Sequence, residues 1–250
     1  MAADRVKPDR AAQVQACLAT VMDPELDESV VELGFLTAVD LTDRGEVHIG
    51  FRLPTYWCAP NFAYLMADDM RTAVKSLPWV TGVLVRLHDH MYADTINDGV
   101  AKGAGFQAAF GDAAQGGLDA LRQTFLVKAF QRRQEALLQH LIDAGHAPAT
   151  LVALDQADLM RLGLGADGQR LVERYLDRRS VASGTLAFVD SAGAAIAAAA
   201  LGHHLRDLRR VSVNAEFNGV LCRGLLAVRD NAAVAQPIHI VRRPVSAAAP

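Results

Sequence analysis

Between Glu46 and Leu53 the chain alternates. Val47, Ile49, Phe51 and Leu53 are apolar, and Glu46, His48, Gly50 and Arg52 stand between them. Period-two patterning puts one row of side chains on each face of a strand, so this stretch predicts a half-buried β-strand. Phe35 to Leu41 reads as an earlier strand, and Thr42-Asp43-Arg44-Gly45 as the turn that joins the two into a hairpin with one buried face. His48 falls on the polar face. After Leu53 come Pro54-Thr55-Tyr56-Trp57-Cys58-Ala59-Pro60, and then Asn61 to Ser76, where Phe62, Leu65, Met66, Met70 and Ala73 recur at helical spacing. Pro60 suits a first helical position. Leu77-Pro78 ends this helix, and Val80 to Leu87 alternates as a third strand. Strand, helix and strand of these lengths make a β-α-β crossover.

That arrangement puts Cys58 in a strand-to-helix turn. Backbone N–H groups at a helix start are unpaired and carry partial positive charge, and the thiolate is the form of cysteine that attacks electrophiles and binds metals. Upstream, Ala11 to Met22 has helical spacing, with Val14, Cys17, Leu18 and Val21 on one side. Cys17 therefore reads as a small buried hydrophobe. Asp23-Pro24-Glu25-Leu26 stops that helix. The carboxylates of Asp23 and Glu25 either hold the turn or face a site; on spacing alone, holding the turn is the simpler role. Downstream stand His88-Asp89-His90, then Asp94, Asn97 and Asp98. Two histidines at i and i+2 on a strand end point the same way and, with a carboxylate, could hold a metal. Polar residues also gather wherever a strand runs out into a loop.

Gly99 to Gly117 is rich in glycine and alanine and reads as a linker between domains. Leu118 to Ala144 is a long amphipathic helix, with Gly145 placed to cap it. Thr150–Gly163 and Asp167–Arg179 read as short helices, and Thr185–Val189 as a short strand. The two short helices lack the basic flank of a DNA-reading helix pair, so packing or partner contact fits them better. Ala192 to Arg210 reads as a helix with Asp190 or Ser191 as its N-cap. His203 and His204 are adjacent on it and face apart, which argues against a shared metal. Val211 to Val228 reads as two strands around Asn218-Gly219, a hairpin turn signal, with Cys222 in the second. Residues 1–9 and the Pro- and Ala-rich end are expected to be loose. The fold class is thus α+β: a small α-β-β-α-β domain over 1–98, a linker over 99–117, and a mainly helical region over 118–250 with a short hairpin.

The net charge of −3 and the lack of any Lys/Arg block argue against nucleic acid, whose phosphates select a basic face. The apolar run Ala192 to Leu201 is too short to span a bilayer, which takes roughly 20 apolar residues. Three cysteines, at 17, 58 and 222, are too few and too scattered for a disulfide framework. With no signal peptide visible, the expected compartment is the reducing cytoplasm. No CxxC pair, HExxH, Walker A loop or GxSxG elbow is present. A cysteine-dependent enzyme would need a general base, and no spacing argues for His48, His88 or His90 in that role.

The first hundred residues resemble the PaaD/SufT-like family of iron–sulfur assembly proteins. The features that carry the resemblance stand in order: an N-terminal helix, Asp23-Pro24-Glu25-Leu26, Glu32-Leu33-Gly34-Phe35, a hairpin, Pro54-Thr55 and Cys58 opening a helix, and a strand after Trp79. The resemblance implies a small α/β domain that carries clusters or matures iron proteins without being an enzyme. Asp23, Glu25, Thr55 and Cys58 occupy the family's characteristic positions. Cys58 here stands three residues after Thr55, where the family usually has four, and Ala59 separates it from Pro60. The implied cargo is iron or an iron–sulfur cluster, with Cys58 as thiolate ligand. Cys58 alone does not complete a cluster, which wants a full set of thiolates. Further ligands would be Glu25, His88, His90 or Cys222, a second chain in a homodimer, or the apoprotein of a client metalloenzyme. Related proteins with a long extension look like accessory factors of bacterial diiron monooxygenases. The other reading is a metal-free, chaperone-like scaffold for a monooxygenase subunit.

Overall fold

The protein is seen in a computed structural model that describes residues 9–111, 117–229 and 240–243. The class is α+β, and the chain falls into two compact units, Met1–Leu118 with Gly219–Pro250, and Asp119–Asn218. The last eleven residues of the long C-terminal helix and the final strand thus belong with the N-terminal domain. The expected division at 98, 117 and 118 did not include that return.

The first unit begins with α1 (Arg10–Ala19), whose Asp9 cap accepts a hydrogen bond from the Ala11 N–H at 3.2 Å. The two-residue strands β1 (Met22–Asp23) and β2 (Glu28–Ser29) pair antiparallel. The hairpin follows as β3 (Leu36–Thr42) and β4 (Glu46–Arg52), then α2 (Pro60–Lys75) and β5 (Gly82–His88). With β6 (Ile240–Arg243) the sheet order is β5-β4-β3-β6, and β5 and β6 run parallel to their neighbours. The alternation seen in the sequence is the buried row: Val47, Ile49 and Phe51 lie in one core cluster with Val39, Leu41, Val85 and Leu87 and with Tyr64, Met66, Met70 and Val74 of α2. A one-residue slip would turn that row to solvent, at about 1.5–3 kcal/mol for each large side chain. Gly45 makes the hairpin turn at φ +88, where a Cβ would fall 2.5 Å from the Trp79 carbonyl oxygen.

The expected linker over 99–117 is instead helical for much of its length, in α3 (Ala93–Lys102) and α4 (Phe106–Phe110). Gly99 and Gly103 serve close packing and a helix end rather than flexibility. A Cβ on Gly99 would lie 2.7 Å from Ala109 Cβ, and Gly103 takes φ +62 as the left-handed cap of α3. Phe106 and Phe110 then meet the Tyr64 ring edge-on, at 5.6 and 6.5 Å between centroids.

The second unit holds α5 (Leu118–Asp143), α6 (Pro148–Ala153), α7 (Gln156–Arg161), α8 (Ala166–Arg179) and the start of α9 (Leu201–Arg229). Its core stacks Phe130, Tyr175 and Phe188. The fully buried Gln134 donates to Tyr175 Oη and to the Val189 carbonyl, and His204 bonds its Oε1. Arg179, also buried, donates to the Leu186 and Ala187 carbonyls and holds the loop that follows α8. Within 185–189, Leu186 and Val189 form isolated bridges in place of the expected strand.

Two further expectations are corrected here. The helix expected over 192–210 starts at Leu201, after a loop closed by the Asp190 carboxylate, which accepts from the Ala192 and Ala194 N–H groups at 2.9 and 2.8 Å. It then runs through 211–228, so the hairpin around Asn218-Gly219 does not form. Val211, Val213 and Val220 read as strand, but burial falls at Leu201, Leu208, Ser212, Ala215 and Leu226, which is helical spacing. Packing overrides a turn dipeptide that costs a helix only about 1 kcal/mol at its glycine. The loose start lies mostly outside the described residues, as does the Pro- and Ala-rich end apart from β6. Gly224→Ala, where an added Cβ meets nothing within 4 Å, is therefore expected to raise stability by up to about 1 kcal/mol. Urea unfolding measures this, and a loss of stability would indicate that the helix does not continue through Gly224.

Candidate functional site

β4 and β5 are parallel neighbours with Arg52 opposite His88, so the chain leaves both strands at the same end of the sheet. The segments 53–59 and 89–92 therefore emerge side by side. Backbone bonds join them: the Met91 N–H donates to the Tyr56 carbonyl at 2.9 Å, and His90 Nε2 lies 2.8 Å from the Cys58 carbonyl. Cys58 is half-buried, two residues before α2 opens at Pro60. Its Sγ lies 3.0 Å from Thr55 Oγ1, so the shorter spacing between threonine and cysteine still brings the two side chains together. The α2 N-cap is Ala59, which offers no side-chain acceptor to the first turn. Tyr56 and Trp57 flank the thiol and are 55% and 71% exposed.

The two histidines do not act as a pair. His88 ends β5 on the exposed face, while His90 is buried. Between them Asp89 takes φ +51, which breaks the strand alternation that the i, i+2 spacing relied on. His90 Nδ1 accepts the Tyr92 N–H at 3.1 Å, so Nε2 carries the proton and donates to Cys58. Burial holds the ring neutral below the ordinary imidazole range, and the positive charge of Arg229 adds to this against the Cys58 bond. Both nitrogens are engaged, so His90 positions the cysteine loop and has no lone pair left for a metal. Asn97 is structural too: its side chain bridges the Leu87 N–H and carbonyl at 2.8 and 3.1 Å.

Asp23 holds its turn, accepting the Glu25 and Leu26 N–H groups at 2.9 and 2.8 Å, while Asp27 closes the turn at φ +52. Burial pushes the Asp23 carboxyl up to about 6, against these two hydrogen bonds. The same turn stands near thiols that sequence spacing could not connect to it. Cys222 of α9 is pushed up to about 11, first by burial and then by the charges of Asp23, Cys58 and Glu25, with Arg223 opposing. Cys58 and Cys222 both pack against the core cluster of the first unit. Sequence reading missed Arg223 and Arg229. Arg223 grips both oxygens of Glu28 at 2.9 and 2.8 Å. Arg229 donates to the Leu53 and Asp89 carbonyls at 2.7 and 2.9 Å. The only hint in the sequence was cationic residues beside Cys222, which read there as part of a strand. Among the described residues no three His, Cys, Asp or Glu side chains converge as a metal cluster, and no helix is long and apolar enough to cross a membrane.

Asp23 predicts a measurable pH effect. Its folded value lies above the unfolded one, so the folded state holds the extra proton between about pH 4 and 6. Its contribution is full below that window and is lost as pH rises through 6. Asp23→Asn keeps the acceptor oxygen and removes the ionisation. We expect it to be more stable than wild type at pH 7, on the order of 2 kcal/mol, with the difference vanishing near pH 4. Urea unfolding at both pH values measures this.

Residues 11–85, from α1 into β5, match the iron-sulfur cluster assembly protein family. An uncharacterized protein of Methanocaldococcus jannaschii is 33% identical over 81 residues, 32% of this chain and 83% of that protein. The Fe-S protein maturation auxiliary factor YitW of Bacillus subtilis is 31% identical over 74 residues, 30% of this chain and 71% of that protein. The family match takes in Asp23, Glu25, Thr55 and Cys58 and leaves out His88, His90 and Cys222. On these matches, and through its N-terminal domain, the chain belongs to the iron-sulfur cluster assembly protein family.

Proposed function

We propose that this protein is a maturation factor that handles iron or an iron–sulfur cluster for a client metalloenzyme, with Cys58 as the thiolate that touches the cargo. The observation that carries the reading is the Cys58 thiol at the sheet end, 3.0 Å from the Thr55 hydroxyl, on a loop that His90 holds from below. Iron and its clusters favour thiolate donors. The Thr55 hydroxyl, within hydrogen-bond distance of the sulfur, holds the Cys58 side chain in place on the loop. Glu25 is the further donor that the family resemblance implies. Asp23 shapes the turn that presents it.

The protein is not itself an enzyme in this reading. His90 has no free nitrogen to act as base toward Cys58. It works in the reducing cytoplasm, where a single thiol stays reduced, and as a homodimer whose second chain adds ligands. The client is an apoprotein, and the resemblance of extended relatives to monooxygenase accessory factors makes a bacterial diiron monooxygenase the client of choice. A metal-free scaffold is the second reading. It draws support from the exposed side chains beside the thiol, Tyr56, Trp57, Met91 and Tyr92, which a client surface would cover.

Cys58→Ala separates the two. The carrier reading expects an intact fold by circular dichroism, loss of iron from anaerobically purified or reconstituted protein, and loss of client activation. Unchanged client activation in Cys58→Ala, with wild type taking up no iron, would establish the scaffold instead.

A further inference from the structure

The end of α9 is fastened to the same corner of the first unit that holds Cys58. Cys222, Leu226 and Arg229 stand at i, i+4 and i+7 and so share one face of the helix. Leu226 is buried in the core cluster, and its Cδ2 lies 3.9 Å from where a Gly34 Cβ would stand. Arg229, one turn on, donates to the carbonyl of Leu53, which opens the cysteine loop, and to that of Asp89. Arg223, beside Cys222, is bidentate on Glu28 at the end of the Asp23 turn. These two attachments flank Cys222 along the helix, and its thiol and that of Cys58 both pack against the same core cluster.

We propose that Cys58 and Cys222 form one two-thiol site for a thiophilic cation, Cys222 being the second sulfur ligand of the cargo. This rests on the carrier reading of Cys58 and adds to it a donor that lies outside the family match. Binding a divalent cation releases both protons: two thiols and M²⁺ give a dithiolate complex and two H⁺. No third His, Cys, Asp or Glu converges there among the described residues. The cation therefore keeps open positions for sulfide, for a second chain or for the client, which suits cargo that must be handed on.

Phenylarsine oxide tests the geometry, because it bridges two neighbouring thiols with loss of one water: PhAsO and two RSH give PhAs(SR)₂ and H₂O. The full chain carrying Cys17→Ser should take up one bridging arsenical per chain and lose both thiols to later alkylation, read by intact mass. Adding Cys58→Ser or Cys222→Ser should abolish the bridge. Failure of the Cys17→Ser protein to bridge would overturn the pair. Cobalt(II) tests ligation through its thiolate charge-transfer absorption. Cys222→Ser should bind about tenfold more weakly than wild type, with a weaker band. Binding by Cys222→Ser equal to wild type would overturn the second-ligand role while leaving Cys58 as the carrier. Wild-type-like binding by Cys58→Ser would instead remove the carrier reading on which the pair rests. Circular dichroism of each variant, with Cys222→Ala as the alternative substitution, separates ligand loss from misfolding.

Discussion

The hydrogen bond from the His90 ring to the Cys58 carbonyl depends on a topological fact, the parallel pairing of β4 and β5. Parallel neighbours deliver their following loops to the same sheet end, and only there can a residue after β5 hold a residue before α2. A buried carbonyl left without its donor costs about 1–3 kcal/mol, which is more than the net worth of the bond when made. The left-handed turn at Asp89 is what swings His90 inward. The imidazole then sits with one nitrogen accepting and the other donating, a geometry that a charged ring could not satisfy. The neutral ring, the turned backbone and the presented thiol are three aspects of one arrangement.

What could be read from the sequence follows the range of the interactions. The hairpin, α2 and β5 declare themselves because alternation and helical spacing are local consequences of one buried face. Cys58 before Pro60 was visible for the same reason. Gly99 was not, because its meaning lies in Ala109 and Tyr64, which a Cβ would strike. Glycine is used alike for flexibility and for close approach, and composition does not tell these apart. The 211–228 stretch failed for a related reason. Its valines and Asn-Gly favour strand and turn locally, while the buried positions of α9 follow a helical period. Tertiary packing outweighed a preference worth a few tenths of a kcal/mol per residue.

At the site the same division holds. Thr55, Cys58, Asp23 and Glu25 could be picked out because they sit in turns whose chemistry is local. The pairing of His88 with His90 was inferred from strand periodicity, and that periodicity ends at the residue between them. Cys222, Arg223 and Arg229 reach this corner over more than a hundred intervening residues, so no spacing in the sequence connects them to Cys58.

The strength of that last attachment decides whether Cys222 belongs to the site or merely visits it. The Arg223–Glu28 pair is half-exposed and contributes about 0–1 kcal/mol. Leu226 is 9% exposed and contributes about 1.5–3 kcal/mol by burial. The Arg229 bonds to two carbonyls come from a charged donor and are worth about 1.5–3 kcal/mol each before the cost of ordering the side chain. Burial and the arginine forks, more than the surface ion pair, therefore keep this end of α9 in place. β6 adds to this by pairing with β3 further along the same C-terminal stretch. None of these contacts involves a metal ion, so they hold this end of α9 without help from any cargo. On the two-thiol reading, binding then need not meet the cost of ordering a loose segment.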